Sequence, residues 1–134
     1  MNDSAGVPAS PRWPEPRCTL VPTPLCYSRK VVQSLRMEDR DVIVDIQGEG
    51  SAQGRVVFRD VRGFRVIDEA ELTEFWPSYA EPSGWLYEVN EGGWLCLEQQ
   101  RATFNALRFP LREFLLVDDM CLSVWCEQMP EILG

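Results

Sequence analysis

The residue types most able to do chemistry lie in the stretch FLLVDDMCLSVWC, residues 114–126. Adjacent Asp118 and Asp119, followed by Cys121 and Cys126, would offer oxygen and sulfur ligands to a metal ion. Side chains five residues apart on a strand point to opposite faces, so the two thiols cannot converge on one ion. Aspartate is also a common turn residue, because its side chain accepts hydrogen bonds from nearby backbone N–H groups. The stretch therefore predicts a hairpin turn and no metal site.

The absence of histidine removes several kinds of catalysis. The 134-residue sequence contains no histidine, which excludes Ser-His and Cys-His nucleophiles and the HExxH zinc motif. Any remaining enzyme chemistry would have to use carboxylates, tyrosine, cysteine, arginine or the single Lys30. Glu88 and Glu98 offer one acid/base pair, but a chain with 21 acidic residues contains many such pairs by chance. The sequence favours a protein that is not an enzyme and that needs no cofactor.

The composition is that of an acidic protein in a reducing compartment. A net charge of −8 repels the phosphate backbone of nucleic acids and favours a basic protein as the partner. No apolar run approaches membrane-spanning length, and the start of the chain lacks the pattern of a signal peptide. We therefore predict a cytoplasmic location, with neither a nucleic-acid nor a membrane partner. The cysteines are odd in number and form no CxxC motif, which is typical of reduced thiols: Cys18, Cys26, Cys96, Cys121 and Cys126.

Acidic residues cluster on one predicted strand. Asp39, Asp41 and Asp45 share one face of DRDVIVDIQ and could offer oxygen ligands to a divalent cation. The spacing lacks the glycine and the terminal glutamate of a calcium loop, so a solvated strand face is the better interpretation. Asp41 and Asp45 remain candidate partner-binding residues.

Four of the arginines crowd into eleven residues of this acidic chain: Arg55, Arg59, Arg62 and Arg65. One interpretation is a patch that binds an anion or an acidic partner. The favoured interpretation is pairing with carboxylates of the same chain. Arg59 and Arg62 are kept as candidate partner-binding residues.

Tryptophan is abundant around the predicted helix and hairpins, at Trp76, Trp85, Trp94 and Trp125. Most of these side chains are expected in the core, because large aromatic residues dominate buried packing. If Trp85 and Trp94 are exposed together, they would form a hot spot for a partner. They complete the set of candidate partner-binding residues.

The elements that must position these residues are mainly strands. The first 25 residues hold six of the ten prolines, so residues 1–17 are predicted to be a flexible tail. In DRDVIVDIQ the apolar Val42, Val44 and Ile46 fall on one face, which indicates a half-buried strand. Further strands are predicted in YSRKVVQSLRM, RVVFRDVRGFRVID, REFLLV and MCLSVWC.

A short helix is predicted at Glu69–Phe75. Asp68 and Glu71 form a capping box, and Pro77 is expected to end the helix. The stretch WLYEVNEGGWLCLEQ then predicts two strands joined at NEGG. We predict one α+β domain, residues 18–134, with a largely antiparallel sheet of six to eight strands and one short helix packed against it.

Three stretches together resemble a family of small bacterial proteins: FRDVRGFRVIDEAELTEFW, GWLYEVNEGGWLCLE and REFLLVDDMCLSVWCEQMPEI. The resemblance covers about residues 55–131. Similar small proteins occur among the immunity proteins that neutralise toxins of competing bacteria. The resemblance implies binding and no catalysis, and it assigns no functional residue.

The preferred function is therefore a non-catalytic protein interaction of immunity or regulatory type, in which an acidic surface covers the basic site of a partner. One alternative is a small-molecule-binding protein, or a carboxylate-based enzyme, with a pocket between helix and sheet. Another is self-association, in which an edge strand pairs with that of a second copy. An exposed carboxylate and tryptophan surface would favour the first function, whereas an enclosed pocket with Arg, Tyr and Glu would favour the second.

Overall fold

The computed structural model describes residues 14–23, 30–48, 50, 52–79, 84–105 and 108–134. Within these ranges the chain forms nine strands: β1 Arg17–Leu20, β2 Lys30–Glu38, β3 Asp41–Gly48, β4 Gln53–Phe58, β5 Gly63–Asp68, β6 Leu86–Glu91, β7 Arg112–Leu116, β8 Met120–Cys126 and β9 Glu131–Leu133. The helical segments are a 3₁₀ turn Glu69–Glu71, α1 Trp76–Tyr79 and α2 Trp94–Glu98. None of these described helices is long and apolar enough to cross a membrane.

The described strands are arranged in two antiparallel sheets. A five-stranded sheet has the order β1-β6-β7-β8-β5, and a four-stranded sheet has the order β2-β3-β4-β9. The antiparallel, sheet-rich class with few helices is as predicted, but the prediction of one sheet with six to eight strands is wrong. The four-residue β1 and the three-residue β9 are too short to give a periodic signal. The consecutive strands β4 and β5 belong to different sheets, although both alternate in sequence.

The main core lies between the two sheets. Val44 and Phe58 of the four-stranded sheet and Phe114 and Leu122 of the five-stranded sheet belong to one cluster of buried side chains. The rings of Phe58 and Phe114 approach to 6.1 Å between centroids. Because aromatic and β-branched side chains fill the space between the sheets, removal of apolar area from water holds the two layers together.

A second cluster covers the outer face of the five-stranded sheet. Leu72 and Phe75, from the segment around the 3₁₀ turn, pack with Leu115 and Cys121. The central strands β7 and β8 are thus buried on both faces, which explains why REFLLV and MCLSVWC show runs of apolar residues. Cys121 belongs to this outer cluster and Cys126 to the main core, so their placement on opposite faces is confirmed.

The β7–β8 hairpin is confirmed. Leu116 pairs with Leu122 at the end of the ladder, and the chain reverses through Val117, Asp118 and Asp119. The Cys121 thiol donates to the backbone carbonyl of Asp118 at 3.3 Å. The aspartates that could have been metal ligands therefore occupy a turn.

Regular structure begins earlier than predicted. Residues 1–13 of the predicted tail lie outside the described residues, but Arg17 already belongs to β1, where it is placed opposite Glu91 of β6. Pro16 is buried. The short β1 joins the edge of the five-stranded sheet, a position where neighbouring prolines remove few ladder hydrogen bonds.

The predicted helix at Glu69–Phe75 is replaced by a 3₁₀ turn followed by α1. Asp68 does cap this segment, accepting from the Ala70 N–H at 2.8 Å. The Glu69 carbonyl then accepts from the Leu72 N–H at 3.1 Å and from the Trp76 indole at 2.7 Å, which excludes the α-helical bond. Pro77 lies inside the first turn of α1. Backbone N–H groups in a first turn make no hydrogen bond within the helix, so the absence of one at proline costs nothing there. The prediction that it ends a helix is wrong.

The predicted return strand after NEGG is also wrong, because Trp94–Glu98 forms α2. The capping group comes from far along the chain. Gly93 at the N-cap has no side chain, and the buried Glu113 carboxylate of β7 accepts from the backbone N–H groups of Trp94 and Leu95, at 3.1 and 2.7 Å. A cap supplied by a residue about twenty positions away leaves no signal in the local sequence.

Candidate functional site

The acidic strand face of β3 is neutralised by arginines of the same sheet. Asp45 accepts from Arg55 Nε at 2.7 Å and from Arg36 at 2.7 Å. Asp41 accepts from Arg59 at 2.8 Å. These pairs confirm the interpretation of Arg55 and Arg59 as partners of carboxylates in the same chain. They leave Asp41 and Asp45 with little unpaired charge to offer a partner.

The remaining predicted candidates are also engaged in the fold. The guanidinium carbon of Arg62 lies 3.9 Å from the centre of the Phe109 ring, and its Nη2 atom lies 3.8 Å from the Asp60 carboxylate. Trp85 is only 7% exposed and belongs to the main core. Trp94 is half-buried, and its ring stacks on that of Trp125 at 4.0 Å between centroids. The structure therefore brings no exposed pair of Trp85 and Trp94 together.

The stabilising effect of Asp45 should disappear in acid. Hydrogen bonding from Arg55, with help from Arg36, holds the pKa of Asp45 at about 2, below its ordinary value of 3.8. A carboxyl with a lower pKa in the folded chain stabilises the fold above its unfolded pKa, and this contribution is lost as the pH falls through the folded pKa. The difference in unfolding free energy between wild type and Asp45→Asn should therefore be constant above about pH 5 and shrink towards about pH 2 in urea titrations. A difference that stays constant across this range would contradict the assignment.

The carboxylates and thiols show no catalytic arrangement among the described residues. Glu88 pairs with Arg112 at 2.8 Å and Glu98 with Arg101 at 3.1 Å, so the two glutamates do not form an acid/base pair. Burial raises the pKa of Cys18 to about 12 and that of Cys126 to about 11, which keeps both thiols protonated and weakly nucleophilic. No group of three or more acidic or cysteine side chains in the described ranges could hold a metal ion.

An open apolar depression lies where the edges of the two sheets meet. Its volume is about 300 Å³, and we call it the edge cleft, defined by the residues that line it: Val31, Val32, Leu35, Val44, Val66, Leu116, Asp118, Asp119, Met120 and Leu122. The side chains of Val31, Val66 and Met120 are 60%, 46% and 50% exposed. Three large apolar side chains, exposed around a single depression, are the usual composition of a binding hot spot.

The two strands beside the edge cleft are both sheet edges. In the described residues β2 pairs only with β3, and β5 pairs only with β8. The sheets are tied together here, because the Val32 N–H of β2 donates to the Asp118 carboxylate at 2.9 Å and the Lys30 ammonium donates to the Val117 carbonyl. These bonds fix the width of the cleft.

Two carboxylates line the edge cleft, and two more acidic residues lie beside it. Asp118 and Asp119 line it, and the Asp119 carbonyl accepts from the Glu69 N–H at 3.0 Å, which brings the 3₁₀ turn beside it. Asp68 is opposite Met120 in the β5–β8 ladder. Within the described ranges no arginine or lysine forms an ion pair with these four acidic residues, in contrast to the paired carboxylates on β3. The cleft is an apolar centre with an acidic rim.

Reasoning from the sequence missed this surface. Val66 shares its strand phase with Phe64, so alternation alone assigns both to the core. Met120 follows the DD turn and gives no signal of exposure. The relevant fact is that β2 and β5 are edge strands of different sheets, and strand order cannot be derived from the period of one strand.

Comparisons with known proteins find no matching family model, no matching curated protein and no matching solved structure.

Proposed function

We propose that this chain is a non-catalytic protein-interaction domain, of bacterial immunity or regulatory type, that binds a basic partner protein in the cytoplasm through the edge cleft. The observation that carries the proposal is the acidic rim around exposed Val31, Val66 and Met120. An apolar centre would supply binding energy when it is removed from water. The carboxylates beside it, which form no ion pair in the described ranges, would select a partner with lysine or arginine beside an apolar group.

The edge cleft is a different surface from the one suggested by the sequence. Asp41, Asp45 and Arg59 are already paired within the four-stranded sheet. A partner that displaced these ion pairs would bury a charged group without its counter-charge, which costs free energy. The rim of the edge cleft has no such pairs to break in the described part of the chain. The net charge of −8 adds a long-range attraction for a basic protein.

Replacing Met120 by aspartate should strongly weaken partner binding. The partner would be captured from lysate of the native source by a photo-crosslinking amino acid at Val66, and identified by mass spectrometry. Burying a charged group in an apolar contact costs several kcal/mol, so Met120→Asp should weaken the reconstituted complex by at least about a hundredfold in titration calorimetry. Leu133→Asp is the matched control, because Leu133 is 52% exposed on β9 and lies outside the cleft.

Charge reversal provides the second arm of this experiment. Asp119→Lys should reduce the association rate and the salt dependence of binding. Glu127→Lys, an exposed carboxylate outside the cleft, should change them less. Binding that survives Met120→Asp, or a captured protein that is acidic and insensitive to salt, would refute the assignment. If the crosslinked product is a second copy of this chain, the domain self-associates through its edge strands and the heterologous partner is excluded.

A further inference from the structure

A second cavity lies on the other side of β5. Arg65 and Val66 are neighbours on this strand and therefore point to opposite faces of the sheet. Val66 borders the edge cleft, whereas Arg65 borders a cavity of about 740 Å³ that also involves α2, the segment from the 3₁₀ turn to α1, and residues 14–16. The two sites share no lining residue, so the second site does not depend on the proposed function.

Among the described residues, no carboxylate lies within ion-pair distance of the Arg65 guanidinium, although Glu113, Glu74 and Glu98 act on it from farther away. Eight of the ten described arginines form an ion pair, and only Arg65 and the exposed Arg108 do not. Arg65 is half-buried, and its Nε is buried without a hydrogen-bond partner in the described residues. Burial accordingly lowers the pKa of Arg65. A partly desolvated cation facing a cavity is a site for a carboxylate.

The wall beside Arg65 is apolar and held in place. The Arg65 guanidinium carbon lies 5.1 Å from the centre of the Trp94 ring, and Trp94 is itself fixed by stacking on Trp125. Leu97 of α2 and Pro77 of α1 also line the cavity, and Leu97 is 51% exposed. A ligand therefore meets a rigid apolar surface next to the cation.

Three carboxylates complete the site. Glu15, Glu71 and Glu74 line the cavity, and all three are exposed and without an ion pair in the described part of the chain. A simple anion would be repelled by these glutamates, and a simple cation would be repelled by Arg65. The charges therefore favour a molecule that carries both an anionic and a cationic group.

We propose that this cavity binds a small zwitterion of the amino-acid class with an apolar side chain. Its carboxylate pairs with Arg65, its ammonium faces Glu71 and Glu74, and its side chain packs on Trp94 and Leu97. The pairing of opposite charges fixes the orientation of the ligand, and the apolar wall selects its side chain.

Three matched probes test this site by titration calorimetry on the full chain. L-phenylalanine carries both charges, L-phenylalaninamide lacks the carboxylate, and 3-phenylpropionate lacks the ammonium; L-leucine provides a second apolar zwitterion. We expect at least one of the two zwitterions to bind. If L-phenylalanine binds, each singly charged probe should bind at least about tenfold more weakly than it does. If L-leucine alone binds, leucinamide and 4-methylpentanoate take the place of the two probes.

Variants then place the binding at this cavity. Arg65→Gln should weaken binding of the zwitterion at least about tenfold. Glu71→Gln/Glu74→Gln should weaken binding of the zwitterion and strengthen binding of the carboxylate-only probe, and Arg108→Gln should change neither. Urea midpoints verify that each variant is folded. Absence of binding by both zwitterions, equal binding of all probes, or equal effects of Arg65→Gln and Arg108→Gln would each overturn the proposal. If Arg65→Gln fails to fold, the comparison of the probes on the wild-type chain still tests whether binding requires both charges of the ligand.

Discussion

Replacing Phe114 by alanine lowers the free energy of unfolding by about 4 kcal/mol, the usual cost of removing a fully buried phenylalanine. Phe114 has no exposed surface and lies in the middle of β7, the central strand of the five-stranded sheet. Its ring contacts Phe58 of the opposite sheet. Truncation would leave a cavity at the centre of the contact between the sheets, which neither sheet can close without breaking its ladder.

Urea unfolding at neutral pH measures this effect. Phe114→Leu, which retains much of the apolar volume, should cost roughly 1 kcal/mol, and Leu133→Ala at an exposed position should lie within about 0.5 kcal/mol of wild type. A loss below about 1.5 kcal/mol for Phe114→Ala would show that the two sheets are not held together by this ring.

Replacing Glu113 by alanine should cost about 3 kcal/mol, because two part-buried backbone N–H groups lose their acceptor. Glu113 is 3% exposed, and its carboxylate is the group that caps α2 at Trp94 and Leu95. Without it α2 begins with unsatisfied donors, since Gly93 supplies no side chain. The matched control is Glu127→Ala, an exposed carboxylate, which should lie within about 0.5 kcal/mol of wild type. Equal effects of the two substitutions would exclude the capping role.

The Glu113 effect should also depend on pH in a defined direction. Burial raises the pKa of Glu113 above its ordinary value of 4.5, although the two N–H donors and Arg65 oppose this. A carboxyl with a raised pKa in the folded chain binds more protons there, so its contribution is fully present below about pH 4.5 and declines as the pH rises through the folded pKa. The difference between wild type and Glu113→Ala should therefore be larger at about pH 4 than at about pH 8. This is the opposite of the dependence expected for Asp45.

Local patterns were sufficient to predict strands with a strong period. The apolar face of β3 and the reversal at Asp118 and Asp119 follow from alternation and from turn chemistry alone. Asp68 was correctly predicted as a cap, because a capping side chain acts within a few residues of itself. What followed the cap was wrong, because the Trp76 indole, whose position depends on tertiary packing, takes the carbonyl of Glu69.

Features that depend on distant residues could not be predicted. The helix α2 depends on Glu113, and the separation of β4 from β5 depends on which strands are neighbours in space. The edge cleft has the same origin, because Val66 and Met120 are exposed by strand order and not by their own sequence pattern. A pocket between helix and sheet was expected only as an alternative and without named residues, because the cavity beside Arg65 brings β5 together with α2 and with Glu15 from the start of the described chain.

The burial of β7 and β8 on both faces has a consequence for the unfolded chain. Before the sheets form, FLLV and CLSVW are apolar segments with high β-propensity, of the kind that pair between molecules and aggregate. Charged residues stand on both sides of these segments: Arg112 and Glu113 before the first, Asp118 and Asp119 between them, and Glu127 after the second. Such flanking charges oppose intermolecular stacking. The turn at Asp118 and Asp119 thus opposes aggregation of these two apolar segments before the sheets have formed.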